Sequence, residues 1–142
     1  MRKESGMKTR RRFVAAMAVG VLSLAAGAAW AAQPTVEIIA MVHPPVQDAL
    51  KPLRAWLANQ SGRLRVVDID AESQRGEKRL EAAGLKGHVP IAILIDGKYR
   101  FQRKDGSKVV FVNFPDVKGS PPGIRGDWVT ADVQAVLTER MK

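Results

Sequence analysis

Cysteine is absent from all 142 residues. Disulfides, thiolate metal sites and every form of cysteine catalysis are therefore excluded, and the fold must be held by apolar burial. Histidine is nearly absent too, occurring only as His43 and His88. Imidazole chemistry thus has two places to happen. Ser120 lacks the glycine-flanked elbow of a serine nucleophile, and no Ser, Thr or Lys stands beside a base in a recognisable motif. No enzyme activity and no cofactor are expected. Internal repeats and low-complexity tracts are missing beyond residue 31.

The charge of +9 is unevenly spread: six of the 23 basic residues, against Glu4 alone among the 14 acidic ones, fall within residues 1–31. Downstream the two signs are interspersed. Arg100, Arg103, Lys104 and Lys108 cluster with Tyr99 and Phe101, but they read as solvated charges that guard a β-hairpin edge. No nucleic-acid partner is expected.

The opening segment has the three parts of a secretory signal: a basic stretch ending at Arg12, an apolar run from Phe13 to Ala29, and the small-residue site Ala29-Trp30-Ala31. Thr9-Arg10-Arg11-Arg12-Phe13-Val14 resembles a twin-arginine motif, so ordinary and twin-arginine export are both open. Residues 1–31 are thus expected to be a signal peptide and 32–142 a single periplasmic or secreted domain. Membrane contact is expected only through the signal segment, if it stays uncleaved.

Val36 to Val42 is a nearly continuous apolar run, which predicts a strand buried on both faces and ended by His43-Pro44-Pro45. Val46, Ala49, Leu50, Leu53, Trp56 and Leu57 form a helical stripe, with Pro52 expected to kink it. A second strand is predicted over 63–70, and a short surface helix from a Ser73 cap to about Ala83. Val89 to Ile95 is another buried strand. Asp96-Gly97 and Asp105-Gly106 then predict turns between strands at 98–103 and 108–114. Residues 115–126 read as a long loop without secondary structure, which leans towards binding, and Thr130 as the cap of a final helix. The order predicts a parallel βαβ unit followed by antiparallel strands under covering helices.

This order, with several residues at matching places, resembles the thioredoxin family. Pro52, within Leu50-Lys51-Pro52-Leu53-Arg54-Ala55-Trp56-Leu57, stands where the family's first helix carries its proline. Pro44-Pro45-Val46-Gln47 then overlies the Cys-x-x-Cys motif, and both cysteine positions hold residues without redox chemistry. Gly84 to Pro90, followed by an apolar strand and Asp96-Gly97-Lys98, looks like the approach to the family's cis-proline. The resemblance implies a thioredoxin-like three-layer α/β/α sandwich with a mixed central sheet and an added β-hairpin. It also implies that Pro90 is cis, and that the chain is a redox-inactive member.

In such a fold the loop after the first strand, the one before Pro90 and the one before the last helix meet at one edge. The candidate binding residues there are His43, Pro44, Pro45, Gln47, His88, Val89, Pro90, Arg125 and Trp128, joined by Phe114 and Ile124. The expected partner is a protein or peptide in the periplasm. Core packing beside Val129 is the better account of Trp128. The alternative function is copper or zinc handling by His43 and His88, with Met41 as a soft third ligand. Asp68 and Asp70 end a strand at the same edge and read as a solvated face.

Overall fold

The computed structural model describes residues 32–142; the segment read as a signal peptide lies outside them. The described residues form an α/β unit with three helices, a mixed three-stranded sheet and a separate two-stranded hairpin. The sheet comprises β1 (Thr35–Ala40), β2 (Arg65–Asp70) and β3 (Ile91–Ile95) in the order β2-β1-β3. β1 runs parallel to β2, pairing Thr35 with Arg65 and Ala40 with Asp70. It runs antiparallel to β3, pairing Val36 with Ile95 and Ala40 with Ile91. Ile91 to Ile95 are all buried, as the continuous apolar run requires of a strand covered on both faces.

Helix α1 (Pro44–Ala58) buries Val46, Leu50, Leu53 and Leu57, the predicted stripe. Pro52 lies inside it on the exposed side. Helix α2 (Gln74–Ala82) starts at Ser73, whose hydroxyl accepts the Gly76 N–H at 3.0 Å and donates to the Asp70 carbonyl at 2.6 Å. That hydroxyl ties the helix start to the end of β2. Gly76 permits the close approach: a Cβ there would overlap the Asp70 carbonyl oxygen and lie 2.8 Å from Ala71 Cα. Helix α3 (Thr130–Arg140) buries Val133 and Leu137. Thr130 is its first residue rather than its cap. Val129 takes that place, and because valine has no acceptor the end is stabilised by Asp132, which receives the Val129 N–H at 2.9 Å.

Asp96 (φ 48°) and Gly97 (φ 80°) are both left-handed, as the predicted two-residue hairpin turn demands. β4 (Arg100–Gln102) and β5 (Lys108–Val110) pair antiparallel beyond it. Both are shorter than expected. The strand expected to run to Phe114 leaves the ladder after Val110: Phe111 N–H still bonds the Tyr99 carbonyl at 2.8 Å, but the continuation lies against β3, with Ile93 N–H bonding the Phe111 carbonyl at 2.9 Å and Asn113 N–H the Ile91 carbonyl at 2.8 Å. At Asn113 the chain enters the left-handed region (φ 72°), which ends any strand there. The 115–126 loop is not structureless, for Pro122–Ile124 forms a 3-10 turn and Phe114 bridges Arg125.

The core gathers Ile38, Ile39, Leu50, Leu53, Ile93, Leu94, Phe111, Trp128 and Leu137, all fully buried. No described helix is long and apolar enough to cross a membrane.

Candidate functional site

Beyond the C-terminal end of β1 the chain turns at His43, which caps α1 in an extended conformation. Pro44 and Pro45 fill the first two helical positions, where amides lack intrahelical partners and proline costs nothing. The His43 carbonyl accepts from Val46 N–H at 3.0 Å and Gln47 N–H at 3.1 Å. On the other side of β1, the Pro90 carbonyl accepts the Met41 N–H at 3.0 Å, which locks the His88–Pro90 approach against the start of α1. Phe114 exchanges bonds with the end of the long loop, donating to the Ile124 carbonyl at 2.9 Å and accepting from Gly126 N–H at 2.7 Å.

These three anchored segments surround one open groove of about 310 Å³, lined by Met41, His43, Pro45, Val46, His88, Pro90, Phe114, Pro121 and Ile124. Of the residues predicted for the edge, the structure brings together His43, Pro45, His88, Pro90, Phe114 and Ile124. Its walls are apolar apart from the two imidazoles. Val89 is buried beside it, and its N–H and carbonyl have no backbone partner among the described residues.

Several predicted residues lie elsewhere. Gln47 points away from the groove, donating to the Met41 carbonyl at 2.7 Å and accepting from Arg54. Arg54 in turn donates to Asp68 at 2.7 Å, so Gln47 is part of a brace between α1 and β2. Arg125 donates to the Ser120 carbonyl at 2.8 Å and stabilises its own loop. Trp128 is fully buried, with Nε1 donating to the Asn113 carbonyl at 3.0 Å and its ring edge-on to Phe111. It is a core residue and offers no surface to a partner.

The expected cis bond before Pro90 is not found: no peptide among the described residues is cis. The trans form is the intrinsically favoured isomer, and here it already delivers the Pro90 carbonyl to Met41.

One neighbour was missed. Glu72 Oε2 lies 2.9 Å from His43 Nε2, both side chains about half exposed. The β1–β2 register, which sets Ala40 beside Asp70, is what brings Glu72, two residues past β2, near His43, three past β1. Even so, no group of three or more metal-ligating His, Asp or Glu side chains occurs among the described residues. Comparison with family models, curated proteins and solved structures found no match.

Proposed function

We propose that the chain is an exported, redox-inactive module of the thioredoxin-like class that binds an extended peptide segment of a protein partner in the groove between His43, His88 and Ile124. One observation carries this reading. Three segments far apart in sequence, each fixed by backbone hydrogen bonds, converge on a single apolar groove. Rigid walls reduce the ordering cost of binding, and the unpaired Val89 amide and carbonyl could extend backbone pairing to a peptide strand.

The thioredoxin-like part of the proposal is supported by the β2-β1-β3 order, the parallel and antiparallel pairings of β1, and the antiparallel lie of Phe111 to Asn113 along β3. Glu37 faces α2 while its neighbours Val36 and Ile38 point into the core from the opposite side of β1, consistent with helices on both sheet faces. Absence of any thiol excludes thiol–disulfide chemistry and supports reading the module as a binder. The basic, apolar and Ala-x-Ala pattern of residues 1–31 supports export to the periplasm or beyond.

Selection of peptides from a random library on the purified protein tests the binding reading. Peptides so obtained are expected to bind at least about tenfold more weakly to Ile124→Asp and Pro45→Asp variants, which put charge on the groove wall. Failure to select any peptide, or equal binding to the variants, would overturn it.

Metal handling is the second reading, favoured by the presence of both histidines at one groove with Glu72 beside His43. Calorimetric titration with Cu(I), Cu(II) and Zn(II) decides it. Stoichiometric binding abolished in a His43→Ala, His88→Ala double variant would put this reading first.

A further inference from the structure

A second groove, remote in sequence from the first, runs between the β4–β5 hairpin and α3, with a volume of about 470 Å³. Its floor is Phe101, Val109, Ala135 and Val136. On α3 the lining positions Asp132, Ala135, Val136, Glu139 and Arg140 recur at helical spacing and form a stripe beside the one that buries Val133 and Leu137. A helix face turned only to water has no need of that apolar strip opposite an aromatic ring.

The charges at its rim are unequally engaged. Asp132 is held by Arg103 at 2.8 and 3.0 Å and by the Val129 N–H. Glu139 is paired with Lys142 at 2.6 Å. Arg140 reaches Asp96 at 2.7 Å while its guanidinium lies 5.6 Å from the Phe101 ring centre. Lys104 takes part in none of the ion pairs among the described residues. Both rim carboxylates thus have a cation in direct contact; the Glu139 carboxyl is lowered first by its bond to Lys142 and further by the nearby Lys104 charge, yet the Lys104 ammonium makes no direct ion pair at the mouth of this apolar slot.

We propose that this groove is a binding site for a small amphipathic carboxylate, whose hydrocarbon or aromatic body lies on Phe101, Val109 and Val136 and whose anionic head meets Lys104. Its volume falls within the roughly 300 to 1,000 Å³ typical of small-molecule sites. The site does not depend on the peptide groove.

The test is a nitrogen-15 NMR titration of the purified protein with sodium decanoate below its micellar concentration, with decyltrimethylammonium as the cation of matched tail. Saturable shifts at Phe101, Val109, Ala135 and Val136 are expected with decanoate and not with the cation. Lys104→Glu, a change at an exposed residue, is expected to weaken binding about fivefold, and Ala135→Trp to abolish it by filling the slot. Equal response to both amphiphiles, shifts located at His43 to Pro90 instead, or indifference to Ala135→Trp would overturn the proposal. So would concentration-dependent shifts of the same residues without ligand, which would assign the groove to contact between copies of the chain.

Discussion

At the scale of the residue, the ion pair of Glu37 and Arg79 shows what a partly buried charge does here. Arg79 donates from Nε and Nη2 to the two carboxylate oxygens, each at 2.7 Å, and this hydrogen bonding holds the Glu37 carboxyl below its ordinary value despite burial. Replacing Glu37 with Gln removes one charged acceptor and is expected to lower stability by about 2 kcal/mol, read from urea unfolding. Asn113 makes a different demand, because its φ of 72° suits glycine and asparagine but not a branched side chain. Asn113→Val should cost about 1 to 2 kcal/mol, whereas Asn113→Gly should leave the unfolding midpoint nearly unchanged. Neither feature could be read from the sequence, where Glu37 was one polar residue in an apolar strand and Asn113 lay inside an apparent strand. Both depend on partners supplied by distant segments, Arg79 for one and the Trp128 indole for the other.

At the scale of the element, local chemistry was legible. Asp96-Gly97 formed its turn, Ser73 capped α2, and the stripe from Val46 to Leu57 was buried as its spacing required. Extents determined by non-local pairing were not legible: β5 stops early because the chain passes over to β3, with Phe111 donating to Tyr99 of the hairpin but accepting from Ile93, and Asn113 bonding to Ile91. The groove was half legible for the same reason. Loop positions at one sheet edge followed from the family resemblance, which found His43, Pro45, His88 and Pro90, and core packing was the better expectation for Trp128, which is buried; side-chain direction was not legible for Gln47, which turns away from the groove to the Met41 carbonyl. Helix α2 offers a sharp test of close packing. Gly76→Ala drives a methyl group into the Asp70 carbonyl and should force the helix off β2 at a cost of about 2 to 3 kcal/mol, while Ser73→Ala, which removes only the cap, should cost about 1 kcal/mol. Matching losses from the two variants in thermal unfolding would show that α2 is not seated as closely as Gly76 implies.

At the scale of the whole molecule, acid acts on the fold through carboxyls that are held ionised by their partners. For Asp132, burial alone would raise the carboxyl, but the hydrogen bonds from Arg103 and the Val129 amide outweigh it and leave the group lowered. Glu37 is lowered by its bond to Arg79. A carboxyl that is more acidic in the folded chain than in the unfolded one stabilises above its unfolded value, and that contribution is lost as pH falls through the folded one. Stability should therefore be level from neutral pH to about pH 4.5 and decline below it. A Glu37→Gln, Asp132→Asn double variant should start lower and decline less steeply. Urea midpoints measured at successive pH values check this, and a steeper acid decline in the variant would contradict it. Reducing agent should leave every midpoint in place.

Strand β1 lies in the middle of its sheet although it comes first in the described chain, with Ile39 flanked by Ile69 on one side and Ala92 on the other. During synthesis its apolar residues emerge before either neighbour exists. The fold cannot close from its front end, because the central strand acquires its second partner only when Ile91 to Ile95 has followed. Such an order places the danger of aggregation early in synthesis, when a sticky segment has neither of its sheet neighbours to pair with.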